Sequence, residues 1–488
     1  MEGARDPFKR PISPAAMATQ TAELERTVDA YQKTLGVRHP DTLTATAALA
    51  RGYLFAGRPA EAVTLLQTNV PACEGVLGPD HADTLQSRND LAVSYRSAGR
   101  AADAAVLHEQ NLSIQERLLG ADHPGTLTTR SNLASALWAA GSTSLALAAY
   151  QQALAGQERV LGPEHADTTH TRGNLANAYR ADGRIPEAIA MHEQNLAIRE
   201  RALGADDPDT LASQHGLARA FAAAGRLVDA VPLQQQSAAE RERVLGADHP
   251  DTLASRGGLA AVYSSAGWFA EAIALFESTI ADAERILGAE HPDTLAFRND
   301  LAAAYQQSGR TSDAIELLEP TLASRERLLG PEHPDTLASR NDLAAAYART
   351  GRMADAITLH ERNVADLERL LGADHPTTLT SRSNLAAAYG RADRLPEAIA
   401  LHEQALADRE RLLGPDHPAT LTSCNNLAAA YARANRLRES IAYYKRALGG
   451  RKRVLGADHP ATRATREALA RVRDRRHASL LSLRRRPS

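Results

Sequence analysis

Two segments contain residues that could do metal chemistry. Residues 108–112 and 192–196 both read HEQNL. They begin like His-Glu-x-x-His, a helical motif in which two histidines bind zinc and the glutamate acts as a base. The second histidine is absent from both. We therefore predict that His108 and His192 lie on an exposed face of a helix and take no part in catalysis.

A second group of histidines recurs along the chain at a spacing of 42 residues: His39, His81, His123, His165, His249, His291, His333, His375, His417 and His459, with Asp207 at the remaining position. Neighbouring copies on packed helices would lie about 10 Å apart, whereas zinc needs its ligands at about 2 Å. We predict that these side chains hydrogen-bond the start of a helix. No metal and no cofactor is expected.

Other catalytic patterns are missing. Only Lys9, Lys33, Lys445 and Lys452 are lysines, and no phosphate-binding loop or Gly-x-Ser-x-Gly elbow occurs. We expect no enzyme and no small-molecule substrate. The 56 basic against 59 acidic residues give a net charge of −3, which disfavours nucleic acid as a partner. No apolar stretch approaches the ~18 residues of a membrane span, and no signal-type segment is evident, so a cytoplasmic location is expected.

The elements that position these residues form a repeat. Leu-Gly recurs every 42 residues, with its leucine at 35, 77, 119, 161, 203, 245, 287, 329, 371, 413 and 455, enclosing ten units. Such a period indicates a solenoid, in which each unit buries its apolar face against its neighbours. In the unit that starts at Gly330, apolar spacing and glycine stops predict one helix over about 335–350 and a second over about 354–370.

Residues 409–431 (RERLLGPDHPATLTSCNNLAAAY) and 183–188 (GRIPEA) resemble the tetratricopeptide repeat, in the 42-residue variety of kinesin light chains and bacterial arrays. The resemblance covers about residues 22–475. It implies an all-α fold: an α-solenoid that forms a right-handed superhelix of antiparallel helix pairs. It also implies a non-catalytic scaffold or adaptor that binds a peptide or protein segment in a concave groove. The alternative is a sensor or regulatory array that acts with a separate signalling NTPase or protease.

The ends of the chain differ from the repeats. We predict a disordered tail over residues 1–20, a single solenoid over 21–476 with a capping helix at each end, and a flexible basic tail over 477–488. The last 28 residues, from Ala461, carry nine arginines against two acidic residues. A basic tail could contact nucleic acid, acidic lipid or the acidic body of another copy of the chain. Most tails of this kind are simply solvated, and nucleic acid is a disfavoured partner for this one.

Two sets of recurring arginines are assigned structural roles. The first set should satisfy carbonyl groups or pair with acidic residues near the end of each second helix: Arg117, Arg159, Arg201, Arg243, Arg285, Arg327, Arg369, Arg411 and Arg453. The second set should pack along the tyrosine ring of each unit: Arg88, Arg130, Arg172, Arg256, Arg298, Arg340 and Arg382.

In the family that the chain resembles, the first helix of each unit lines the concave surface. Gln86, Asp90, Val93 and Ser97 form one stripe of such a helix. Several copies of Asp90 are asparagines, which can bond a peptide backbone as donor and acceptor. The last three copies of Ser97 are arginines, which bind carboxylates with two parallel bonds.

We therefore hypothesise that an acidic peptide or chain terminus binds at Asp342, Arg349, Asn384, Arg391, Asn426 and Arg433. A solvated arginine face without a ligand is the alternative. A second candidate groove comprises Arg96, Asn132, Trp138, Asn174 and Arg180. Trp138 is interpreted either as a groove anchor or as a core residue.

Overall fold

The computed structural model describes residues 14–484 and contains only α-helices and turns in that range. Ten helix pairs follow one another, each with a first helix of 16 residues and a second helix of 18 or 19 residues. The first helices are α2 (Pro40–Phe55), α4 (Ala82–Ser97), α6 (Pro124–Ala139), α8 (Ala166–Ala181), α10 (Pro208–Ala223), α12 (Pro250–Ser265), α14 (Pro292–Gln307), α16 (Pro334–Arg349), α18 (Pro376–Arg391) and α20 (Pro418–Arg433).

The second helices are α3 (Pro59–Leu77), α5 (Ala101–Leu119), α7 (Thr143–Val160), α9 (Ile185–Leu203), α11 (Leu227–Leu245), α13 (Phe269–Ile286), α15 (Thr311–Leu328), α17 (Met353–Leu371), α19 (Leu395–Leu413) and α21 (Leu437–Val454). Helix α1 (Pro14–Thr34) precedes the first pair, and α22 (Pro460–Arg484) follows the last. The all-α repeat of helix pairs predicted from the sequence is confirmed.

Both ends are more helical than expected. Residues 14–20 were placed in the disordered tail but form the start of α1, because Pro14 suits a first helical turn and Ala, Met and Gln favour helix. Residues 477–484 were placed in the flexible tail but continue α22, since no Gly or Pro interrupts them. The remaining parts of the two predicted tails, residues 1–13 and 485–488, lie outside the described residues.

The chain divides into an N-terminal unit, up to His333, and a C-terminal unit, from Pro334. Within each unit every helix packs against the next, and the first helices of neighbouring repeats also contact one another. Alanines without any exposed surface, such as Ala344 and Ala386, let the helices approach closely. None of the helices in residues 14–484 is both long and apolar enough to cross a membrane.

The recurring histidines begin the first helices, as predicted. The imidazole Nδ1 accepts the backbone N–H two residues further on, at 3.2 Å for His417, and thereby caps the helix. The histidines that do so are His39, His81, His123, His165, His249, His291, His375, His417 and His459. Asp207 caps α10 in the same way through a carboxylate oxygen, at 2.9 Å.

The turn between the two helices of a repeat needs one residue in the left-handed region. Gly351 supplies it at φ 84°, and Asp393 and Asn435 adopt φ 62° and 56° at the equivalent positions. Aspartate and asparagine tolerate this region better than other residues with a side chain. The turn geometry is therefore constant along the array although glycine is not.

The two sets of recurring arginines have different partners. Most members of the first set bond an acidic residue in the turn before the first helix of their own repeat, as Arg117 does with Asp80 at 2.8 Å, so that prediction is confirmed. Members of the second set were expected along the tyrosine ring. In most repeats the structure instead places the arginine five residues after the tyrosine over the ring, with Cζ of Arg352 3.8 Å from the ring centroid of Tyr347. Arg88 bonds Glu74 at 2.8 Å instead, because the preceding second helix brings that carboxylate within reach.

Candidate functional site

The first helices line the inner side of each unit. In the C-terminal unit, α16 contacts α18 and α18 contacts α20, whereas the second helices α17, α19 and α21 lie farther from one another. The more closely spaced layer of a curved two-layer array is its inner layer. The side chains that face away from the second helices on α16, α18 and α20 therefore form the candidate binding surface of this unit.

Three arginines end these first helices. Arg349, Arg391 and Arg433 are the last residues of α16, α18 and α20, and all three side chains are exposed. Among the described residues, none of the three makes an ion pair or a hydrogen bond. The three residues hold equivalent positions on successive first helices, which are expected to pack about 10 Å apart. We call these three residues the arginine row.

Most other arginines of the repeats have partners, which makes the arginine row unusual. In the same repeats Arg352, Arg394 and Arg436 bond Asp355, Glu397 and Glu439 at 2.8–3.0 Å. Arg411 bonds Asp374 at 2.5 Å. The arginine row therefore does not belong to the ion-pair network that joins successive repeats.

The polar residues predicted beside the arginine row are half-buried. Asn384 donates from Nδ2 to Oδ1 of Asn341 on the preceding first helix, at 2.9 Å. One amide hydrogen of Asn384 is thus used to join two repeats. Asp342 and Asn426 occupy the equivalent positions of α16 and α20. Asp342, with only acceptor atoms, is suited to a backbone N–H of a ligand.

The residues of the second candidate groove, in the N-terminal unit, have different environments. Asn132 donates to Asn89 of the preceding repeat at 3.1 Å, and Asn174 is half-buried on α8. Trp138 packs against the core cluster that contains Leu147, Tyr150 and Tyr179.

Of the two interpretations of Trp138, the structure favours the core residue. Arg96 is exposed and Arg180 is half-buried, and among the described residues neither has an ion pair or a hydrogen bond.

The prediction that His108 and His192 are exposed is wrong. Their exposed fractions are 1% and 2%, because this position of a second helix faces its own first helix and that of the next repeat. Burial lowers the pKa of both imidazoles to about 4. Within residues 14–484 no group of three or more His, Cys, Asp or Glu side chains is arranged to hold a metal ion.

Sequence reasoning missed Arg219, which occupies on α10 the position that Val93 occupies on α4. The predicted site rests on the copies of Asp90 and Ser97 alone. The copies of Val93 include this exposed arginine and also Arg51, which is paired with Asp90 at 2.8 Å.

The structure thus defines a class: an all-α array of stacked helix pairs. The chain belongs to the tetratricopeptide repeat family, whose model matches it ten times, at residues 53–114, 89–159, 145–201, 167–239, 220–285, 267–326, 296–362, 340–410, 383–453 and 425–479. Repeats of this kind are protein-interaction scaffolds, and their fold is generally non-catalytic.

Solved structures resemble parts of the chain. One is the Q17M form of a putative kinesin light chain from Podosopora anserina with nearly identical TPR-like repeats. Its sequence is 36% identical to this chain over 41% of this chain and 95% of its own, with a TM-score of 0.37. BtubC (BKLC) from P. vanneervenii is 24% identical, covering 47% and 92%, with a TM-score of 0.40. A Rap protein complexed with competence and sporulation factor is 12% identical, covering 76% and 99%, with a TM-score of 0.48. No curated protein sequence matches this chain.

Proposed function

We propose that this protein is a non-catalytic adaptor that binds an acidic peptide segment on the inner surface of its C-terminal unit. The observation that carries the proposal is the arginine row. Arg349, Arg391 and Arg433 are exposed, ordered along one surface and without an acidic partner among the described residues. Because most other arginines of these repeats are ion-paired, these three are available for a ligand.

The spacing of the arginine row sets the expected ligand pattern. Neighbouring first helices lie about 10 Å apart, and an extended peptide advances about 3.3 Å per residue. Acidic side chains about three residues apart would therefore meet successive arginines. Each guanidinium can hold a carboxylate through two parallel N–H···O bonds.

The half-buried polar positions supply contacts to the peptide backbone. Asn426 offers a donor and an acceptor, and Asp342 offers acceptors only. Asn384 already joins two repeats through one amide hydrogen, so we assign it the smaller share of the contacts. The proposal includes a cytoplasmic location and a protein as the partner.

The test measures binding of a fluorescent peptide with Asp or Glu at every third position to the full chain. A triple variant, R349Q/R391Q/R433Q, removes the arginine row. Each exposed ion pair contributes about 1 kcal/mol at most, so the variant should bind more weakly, by up to about 100-fold. The affinity of the unmodified chain should fall as salt is added, because exposed charges are screened.

A matched control is available in the same repeats. R352Q/R394Q/R436Q removes the same charge from arginines that are already ion-paired, and it should leave peptide binding nearly unchanged. Equal affinities of the unmodified chain and the arginine-row variant, or equal losses in both triple variants, would refute the proposal. If affinity capture from the native cell recovers a signalling NTPase or protease, the sensor alternative gains support.

A further inference from the structure

The N-terminal unit contains a second group of unpaired cations, formed by different residues from the arginine row. Arg180, the last residue but one of α8, is half-buried, and Arg219 lies exposed on α10. Neither makes an ion pair or a hydrogen bond among the described residues, and the Nε of Arg180 is buried without a partner. Arg219 lies one helical turn after Gly216 on α10, and α10 packs against α8, which carries Arg180. Burial, and then the charge of Arg219, lower the pKa of Arg180.

A buried histidine lies beside the two arginines. His192, on α9, is 2% exposed, and neither its Nδ1 nor its Nε2 has a hydrogen-bond partner. Burial, and then the charges of Arg180 and Arg219, lower the pKa of His192 to about 4, so the imidazole is neutral near pH 7. A neutral imidazole retains one N–H donor, and here that donor is unsatisfied.

The backbone of α10 makes room for this imidazole. A Cβ added to Gly216 would lie 2.6 Å from Cε1 and 2.9 Å from Nδ1 of His192, so no other residue fits there with the ring in place. The equivalent positions of α6 and α18 hold Asn132 and Asn384, which bond the preceding repeat. At α10 Gly216 has no side chain to make that contact, and the imidazole of His192 lies against its backbone. The same histidine recurs on the second helices that precede those two asparagines, as His108 and His360.

The next first helix, α12, also has a glycine at this position, Gly258. His215 lies against Gly258 of α12 and bonds the side-chain amide of Gln234 at 2.9 Å. Its neighbouring charges are Arg219 and Arg241, so it adds no acidic group to the cluster. Arg180, Arg219 and the two imidazoles thus lie together. Arg241, the third cation nearby, is already bonded to Ser255 at 2.6 Å.

We propose that Arg180, Arg219 and His192 form a binding site for a phosphoryl group, which arrives either as free phosphate or as a phosphorylated side chain of a partner. Two guanidinium groups balance the charge of ≈ −1.5 to −2 that a phosphate monoester carries at neutral pH. Arginine offers paired donors to its oxygens, and the buried N–H of His192 satisfies a third contact. A single carboxylate would leave one positive charge of the cluster uncompensated.

The experiment titrates the full chain with inorganic phosphate in low-salt buffer and follows binding by calorimetry. R180Q and R219Q should each weaken binding about 10-fold or more, consistent with loss of one charge-assisted contact. R184Q is the matched control, because Arg184 belongs to the same repeat as Arg180 but is already paired with Glu187 at 2.9 Å. R184Q should bind phosphate as the unmodified chain does.

A second measurement does not depend on any variant being folded. In nitrogen-detected NMR of the unmodified chain, phosphate should shift the imidazole signals of His192 and leave those of His402 in place. A serine peptide and its phosphoserine form then distinguish the two sources: competition of only the phosphorylated form with free phosphate assigns the site to a modified partner. No phosphate binding at about 10 mM, or binding that R180Q/R219Q retains, would overturn the proposal.

Discussion

Replacing Arg172 with methionine removes a cation that is completely buried. The guanidinium, on α8, bonds Glu158 at 2.7 Å, and it also bonds the side chain of Asn195 and the backbone oxygen of Pro163, each at 3.3 Å. Glu158 is 41% exposed, so water can solvate it again once the arginine is gone. Asn195 is 1% exposed, and its Oδ1 would lose this donor, while its Nδ2 would still donate to Ser213 at 3.3 Å.

The expected loss follows from these contacts. The two long bonds to neutral acceptors contribute about 1 kcal/mol each, and the pair with a half-exposed glutamate contributes about 0.5–1 kcal/mol. Part of this is recovered, because the methionine no longer buries a charge or the unpartnered Nε of Arg172. The free energy of unfolding should therefore fall by about 2 kcal/mol.

Arg130 provides a matched comparison at the same position of the preceding repeat. Its side chain is 14% exposed, and its single ion pair is with Glu116, which is 41% exposed. R130M should therefore cost about 1 kcal/mol or less.

The assay is urea unfolding followed by circular dichroism, with midpoints compared at equal slope. The reasoning would be refuted if R130M lost as much stability as R172M, or if R172M were neutral.

Three further predictions concern the caps, the packing and the buried imidazoles. H417A should lower the free energy of unfolding by about 1 kcal/mol, and H417D should restore it, as judged by thermal unfolding. G450A should be destabilising by about 1–3 kcal/mol, because the new methyl group would overlap Leu421, whereas G449A should be neutral or stabilising; urea midpoints test both. His402 has a pKa lowered to about 4 by burial, so the unfolded state binds more protons and stability should fall as pH decreases from 6.5 toward 4. H402Q should reduce this dependence, and an unchanged profile would contradict it.

The local elements could be predicted from the sequence because each is determined by residues close together in the chain. The spacing of Leu and Ala predicted helices over 335–350 and 354–370, and the structure has Pro334–Arg349 and Met353–Leu371. The histidine caps were also predictable, since the bond from His417 joins residues two positions apart.

The environment of a side chain on a second helix was less predictable. His192 lies on α9 near residues of α8 and α10, and helical spacing alone does not show that two other helices cover it. Burial of that position depends on how the repeats stack. For the same reason the partner of Arg88 was missed, because Glu74 belongs to the preceding second helix.

The candidate site divides in the same way. The sequence by itself determined the repeat, the helix pairs and the presence of arginine at residues 349, 391 and 433. Only the tertiary structure decided which arginines are paired, because the carboxylates that neutralise the others lie 3, 14, 26 or 37 residues away in the chain. The longer of these separations close only when successive helices pack. The cations that remain unpaired after this packing are the ones on which the proposed binding function rests.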